Sequence, residues 1–520
     1  MSDTITKKVG VASLIMMVSI FLSRIIGLAR EIVIAYSSGA GADVDAYQIA
    51  FVIPEILNHV LASGFLSITF IPIFSYYLTH HKEDEGWEVF STIFNVLGVV
   101  LIIFIFVSWM FTPELLSLSG FKNPETQASA IKMTRIILPA QLFFFLGGLL
   151  MAVQFANERF AIPAVAPLVY NLGIICGGIF LGPWLGIEGF SWGVLGGAFL
   201  GNFAIQLWGA KRVGMKFSFS FNIHHPDLKK YVLLTLPLMV GLTMTFSTEV
   251  FSKLFGSHLS SGSVSGLNYS LRIMFVLVGL FGQAAGVASY PFLSRLVAEN
   301  RFEEMNQLLN KTIRFIALVI PFSVVCMVLR REIVVIIFQR GSFDSAATEM
   351  TSNILLFVLI GATAFAAQTV VVRGYYAMQN TLFPTVYGSL AVLLSIPLYF
   401  IGMKWMGVTG VALAMSCSAF MQVALLFVLW NRRTKNRGSS QVYQVYLKVL
   451  LASVPIGLFL EWLRRTITEV IGNSGFIGCM VVSMLIGTVF VILFIISGHI
   501  LKINEISLFT EKLLSKVKKR

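Results

Sequence analysis

The chain has 520 residues, of which 57% are hydrophobic and 12% charged, and its mean hydropathy is +0.83. Soluble domains carry about 25% charged residues, so these figures exclude a water-soluble enzyme, a disordered chain and a disulfide-stapled secreted fold. What remains is an all-α polytopic membrane protein, and its formal charge of +13, with no soluble basic domain behind it, gives no footing to a nucleic-acid partner.

A bilayer core takes about 20 apolar residues per helix. In chain order the hydropathy predicts fourteen spans, at 9–36, 46–78, 88–111, 129–155, 161–181, 187–210, 229–256, 264–297, 311–329, 350–377, 382–403, 407–430, 443–463 and 473–498. Several exceed the minimum length, which implies tilted or bent helices. Pro54, Pro139, Pro237 and Pro397 fall inside spans, where neighbouring helices must satisfy the freed carbonyls. Long apolar runs exclude a closed barrel, whose strands alternate over about ten residues. Lys7 and Lys8 before the first run resemble a signal-peptide start, but Arg24, Arg30 and Glu31 interrupt it, so a retained first helix is expected.

The 38 basic residues distribute unevenly over these spans. With the N-terminus inside, 25 fall in cytoplasmic segments, among them Lys211, Arg212, Lys229, Lys230, Arg432 and Arg433, and nine on the opposite side. That bias predicts both termini in the cytoplasm. The tail residues Lys516, Lys518, Lys519 and Arg520 are expected to meet anionic headgroups. Four basic residues remain within spans: Arg24, Arg30, Lys253 and Arg272.

Landmarks recur about 220 residues apart. Glu31 is echoed by Glu249, Pro72 by Pro291, the stretch from Phe155 to Pro163 by that from Tyr376 to Pro384, and Lys211-Arg212 by Arg432-Arg433. Six spans per repeat is an even number, so both copies enter the membrane from the same side, about an axis along the membrane normal. The expected organisation is an N-lobe over 1–228, a C-lobe over 229–442, and two further helices with a basic tail over 443–520. Such lobes enclose a central site and alternate access by rocking against each other.

A basic residue at a helix centre costs roughly 2.5–3.5 kcal/mol on the insertion scale, which makes Arg24, Arg30 and Arg272 functional candidates. Guanidinium forks match phosphate oxygens bidentately, so arginines from both lobes point to an anionic phosphate substrate. Glu31, Glu55 or Asp45 could instead neutralise them as buried pairs. Asp45 stands at the start of the second helix, where capping competes with function, and on His59 a satisfied helix contact competes with a proton relay. Cys176, Cys326, Cys417 and Cys479 each stand alone, with no metal-ligand spacing. The sequence has no phosphate-binding loop, zinc-protease motif or nucleophile elbow, so transport without a cofactor is expected rather than catalysis. It carries no signal for an oligomeric state.

The residues resemble the MurJ (MviN) family of lipid II flippases, in the multidrug/oligosaccharidyl-lipid/polysaccharide exporter superfamily. Ser23-Arg24 through Arg30-Glu31 is similar to its S-R-x-x-G-x-x-R-[DE] pattern, followed by Gly39-Ala40-Gly41 and Asp45-Ala46-Tyr47. Phe160 through Pro167 with Asn171, Ser263 through Arg272, Phe338 through Phe343 and Tyr375 through Thr381 resemble further segments. The resemblance implies fourteen helices and a flippase that moves undecaprenyl-pyrophosphate-linked disaccharide-pentapeptide from the cytoplasmic to the outer leaflet. It implies a pyrophosphate site of Arg24, Arg30 and Arg272, with Glu31 and Asp45 in the functional set, and a groove for the polyprenyl tail along helices thirteen and fourteen. Two departures stand out. After Pro54 the family carries paired arginines and then Glu-Gly, where this chain has Asn58-His59 and Ser63-Gly64, and near Arg272 it has Leu271 and Phe275 where acids are common. Asn58 and His59 are therefore expected to line the substrate site in place of an arginine, and the competing readings are a flippase for another polyprenyl-linked saccharide and a cation-coupled drug exporter of the same superfamily.

Overall fold

The computed structural model describes residues 2–59, 65–243, 247–471 and 475–500; Ser63, Gly64, Lys516, Lys518, Lys519 and Arg520 lie outside them. The described residues are helical almost throughout, with no strand among them. They form two compact units. One comprises Met1–Phe246 with Ser260–Val264, the other Ser247–Leu259 with Ser265–Arg520.

The first unit runs α1 (Ser2–Ser38), α2 (Ala42–Ala50), α3 (Val52–Leu57), α4 (Phe65–Thr79), α5 (Glu83–Met110) and α6 (Thr112–Leu116). It continues with α7 (Pro124–Ile137), α8 (Ala140–Ala156), α9 (Ala161–Leu185), α10 (Glu188–Gly197), a π-helical stretch Ala198–Ala204, α11 (Ile205–Arg212) and α12 (Pro226–Thr243). Pro139 breaks the apolar run 129–155 into α7 and α8, because it has no N–H to continue the ladder. α1 lies on α9, α4 on α8, and α2 on α7. α9 and α10 form a hairpin at Gly186 (φ 57°, ψ −137°), a backbone conformation that an L side chain rarely adopts. Its two arms approach so closely that a Cβ on Gly177 would lie 2.5 Å from the Gly193 Cα, the small-residue packing by which membrane helices associate.

The second unit comprises α13 (Ser247–Ser257), α14 (Ser263–Val278), a π-helical turn Gly279–Gln283, α15 (Ala284–Ala298), α16 (Phe302–Ile316), α17 (Val319–Val328) and α18 (Arg330–Ile337). After these come α19 (Ser345–Ala377), α20 (Leu382–Thr434), α21 (Ser439–Ile471) and α22 (Phe476–Ile500). α20 has 53 residues and reverses at Gly407 (φ 60°, ψ −133°), so the apolar runs 382–403 and 407–430 form its two arms. Ser395 Oγ donates to Ser418 Oγ at 2.8 Å between those arms.

Ten helices among the described residues are long and apolar enough to cross a membrane, with α20 counted once. The predicted spans 46–78 and 229–256 are divided among α2, α3 and α4, and between α12 and α13. Hydropathy misses such breaks because a broken helix remains as apolar as a straight one.

Backbone conformation recurs along the chain at the spacing of the sequence landmarks. Left-handed residues pair as His81 with Asn300, Glu158 with Gln379, Gly186 with Gly407 and Gly214 with Lys435, separated by 219, 221, 221 and 221 residues. The bonds that close these turns recur too. Lys82 N donates to Tyr77 O at 2.9 Å as Arg301 N does to Leu296 O at 2.8 Å. Arg159 N donates to Gln154 O at 2.8 Å as Asn380 N does to Tyr375 O at 3.0 Å. Each is the six-to-one bond of a Schellman helix end.

Candidate functional site

Arg24, Arg30, Glu31 and Asp45 of the first unit sit on α1 and α2. Glu31 is 1% exposed, and its Oε1 accepts from Arg30 Nη2 at 2.5 Å. Arg30 Nη1 donates to Asn171 Oδ1 on α9 at 3.1 Å, and Asn171 Nδ2 in turn donates to Pro167 O at 2.8 Å. Pro167 lies inside α9, and a proline ring has no N–H to give back to its helix. The guanidinium is therefore held by an acid on one side and an oriented amide on the other. Arg30 Nε is buried without a hydrogen-bond partner. Gly27, one turn before Glu31, faces the Asn171 amide, where an added Cβ would make ordinary contact at 3.9 Å. Arg24 shares the stripe of Gly27 and Glu31 at helical spacing, yet it is exposed where Glu31 is buried.

Asp45 is buried on α2, whose N-cap is Gly41 with no side-chain cap bond. Its Oδ2 accepts from the backbone N of Gly262 at 2.7 Å, and Gly262 is left-handed at φ 90°. That carboxylate ties the 260–264 segment into the first unit rather than capping its own helix. Asn58 caps the C-terminal end of α3, and His59 Nδ1 lies 2.6 Å from Glu55 O one turn earlier. Both are half-buried. In the second unit, Arg272 lies in α14, half-buried, and Lys253 is buried on α13. Among the described residues no group of three or more His, Cys, Asp and Glu could hold a metal ion.

Among the site residues, Arg30 thus meets Glu31 and Asn171, Asp45 meets Gly262, and His59 meets the Glu55 carbonyl. Two partners, Asn171 and Gly262, were not singled out for these roles by the sequence. A lone Asn amid the apolar run of α9 was the available signal for the first. Nothing in the sequence pointed to a backbone N–H at Gly262.

The lipid II flippase MurJ family matches residues 34–500. The chain belongs to that family. This flippase is a transporter, not an enzyme, and a multi-pass membrane protein. The matched segment begins after Glu31, so Arg24 and Arg30 precede it. Curated relatives include a probable lipid II flippase MurJ of Buchnera aphidicola subsp. Baizongia pistaciae, 28% identical over 78% of this chain and 80% of the relative. The lipid II flippase MurJ of Burkholderia cenocepacia is 26% identical over 85% and 87%. Among solved structures, a lipid II flippase MurJ in an inward closed conformation covers 92% of this chain and 98% of its own, with a TM-score of 0.74 and 24% identity. An inward-facing multidrug transporter of the MATE family follows at 14% identity, 81% and 96% coverage, and a TM-score of 0.64. Both likenesses concern the fold.

Proposed function

We propose that this flippase carries lipid II from the inner to the outer leaflet by alternating access, crossing the bacterial inner membrane fourteen times with both termini cytoplasmic. The paired left-handed turns support an internal duplication, with two six-helix lobes in parallel orientation and two helices added after them. Recognition of the pyrophosphate is assigned to Arg24 and Arg30 in the first unit and Arg272 in the second, with Glu31 and Asp45 as supporting acids and Asn58 and His59 lining the path. The observation that carries this reading is Arg30. An intramembrane guanidinium fixed on two sides, by Glu31 and Asn171, presents a rigid donor set of the kind a diphosphate needs.

Depletion of the protein in cells without a paralogue should stop lipid II from reaching the outer leaflet, and normal delivery would defeat the assignment. Arg24→Ala and Arg272→Ala should abolish transport while the protein still inserts, and complementation by either would remove pyrophosphate recognition from the proposal. A second reading is favoured by Asn58 and His59, which stand where the family carries an arginine pair: a flippase for another polyprenyl-pyrophosphate-linked saccharide. Native mass spectrometry of lipid co-purified with the protein separates the two.

A further inference from the structure

The segment between α11 and α12 has no regular structure, yet it is tightly held. Ser218 N donates to Ser91 Oγ at 3.1 Å, and Asn95 Nδ2 donates to Ser218 O at 3.0 Å and to Ser220 O at 3.1 Å. Thr92 Oγ1 donates to Ser220 Oγ at 3.0 Å, and Lys216 pairs with Asp84 near the start of α5. Ser91, Thr92 and Asn95 are buried polar side chains on a helix otherwise suited to crossing a membrane. Successive positions 91, 95, 99, 102 and 106 lie on one face of α5 at helical spacing. Val99, Ile102 and Phe106 on that face are exposed, as lipid-facing residues are, whereas Ser91 and Asn95 are covered by this segment.

α5 has 28 residues, about 42 Å of helix against about 30 Å of bilayer core. Asn95 lies about 18 Å along the helix from Glu83 and so, even with all of the roughly 12 Å of surplus helix at that end, at least about 6 Å inside the core. Irregular backbone at that depth survives only where protein groups satisfy its N–H and C=O, which is what Ser91 and Asn95 supply. With its polar atoms turned to α5, the segment leaves its apolar side chains outward. Phe219 is 86% exposed, and Phe217, Phe221 and Ile223 are exposed beside it. Lys211, Arg212, Lys229 and Lys230 flank it, all exposed.

We propose that residues 216–223 form an aromatic strap immersed in the lipid leaflet at that end of α5, its phenyl rings among the acyl chains and its flanking lysines and arginine on anionic phospholipid headgroups. The occupant is the leaflet itself, because the strap lies on the same stripe of α5 that meets lipid further along, and the exposed Lys211, Arg212, Lys229 and Lys230 stand at its two ends.

The test places an NBD fluorophore on Phe219→Cys in the full-length protein, with the four native cysteines replaced by alanine. The labelled protein is reconstituted in nanodiscs of phosphatidylethanolamine and phosphatidylglycerol, with Glu303→Cys as an aqueous reference. Iodide quenching at 219 should be at least about fivefold weaker than at 303, and nitroxide lipids labelled high on the acyl chain should quench 219 alone. Equal iodide quenching at both positions, without nitroxide quenching, would overturn the proposal and leave the strap as a water-facing surface for a protein partner. Ile223→Cys repeats the measurement should Phe219→Cys fail to fold. Asn95→Val should release the strap and raise iodide quenching at 219 toward the reference. Unchanged quenching in that variant would overturn the role given to Asn95.

Discussion

Both units keep a carboxylate out of solvent beside an arginine, and the two pairs are built differently. Glu31 and Arg30 are neighbours in sequence, so their 2.5 Å contact closes no loop, and the Asn171 amide ties Arg30 to α9. Glu332, 0% exposed, takes Arg464 Nη1 at 3.1 Å across 132 residues, from α18 to α21. Arg464 also donates to Glu461 at 2.9 Å, and Glu461 further receives Arg465 at 3.0 Å and Arg330 at 3.8 Å. The second arrangement is a cross-link that fastens distant segments of one unit. The first holds one guanidinium in place between an acid of its own helix and an amide of α9.

Substitutions that keep charge but change geometry should break that contrast most sharply. Arg30→Lys leaves Glu31 a cation but removes the fork. Transport in a lipid II translocation assay should fall about 10- to 100-fold, the weight of one or two charge-assisted hydrogen bonds, while the melting temperature holds. Full transport by Arg30→Lys would place Arg30 with Arg464 as structural. Glu332→Ala should do the reverse, destabilising the protein by about 2–4 kcal/mol in denaturant titrations, since Arg464 keeps Glu461 but loses its buried partner. Transport per folded molecule should be unchanged.

How much of this was legible beforehand differs between fold and site. Apolar runs located the helices, and the spacing of about 220 residues between landmarks recurs in the left-handed turns, because both are periodic properties that one sequence displays. Helix breaks inside a single apolar run were not legible, since the π-helical turn at Gly279–Gln283 interrupts the ladder without lowering hydropathy, whereas the reversal at Gly407 falls where the predicted spans 382–403 and 407–430 part. The arginines stood out by their insertion cost. Their partners did not: Asn171 lies 141 residues from Arg30, and Gly262 offers Asp45 only a backbone N–H. Contacts of that kind depend on packing, which no local pattern records.

Smaller effects refine the comparison. Asp45→Ala leaves the Gly262 N–H without its acceptor and should cost about 1–3 kcal/mol, read as a lower melting temperature, whereas Asp45→Asn should keep most of that stability. The mildest concerns the exposed acids after α15. Arg295 and Arg301 hold the Glu299 carboxyl below the ordinary carboxylate value, and Arg301 does the same for Glu304. Depressed carboxylates contribute stability that is present above the unfolded pKa and lost as pH falls through the folded one. Between pH 7 and about 5.5, above the ordinary glutamate value of about 4.3, these two groups should therefore contribute no change in melting temperature. An Arg301→Ala variant that alters the melting profile in that window would contradict this.

The left-handed helix ends carry a practical consequence for handling the protein in detergent. His81, Asn300 and Gln379 place a Cβ in a conformation that costs an L residue about 1–2 kcal/mol and a glycine almost nothing. Each already makes the turn that glycine makes at Gly214, so glycine there would keep the backbone path and relieve the side chain. Three surface turns, none of which carries a residue assigned to transport, are thus ready-made positions for stabilising substitutions.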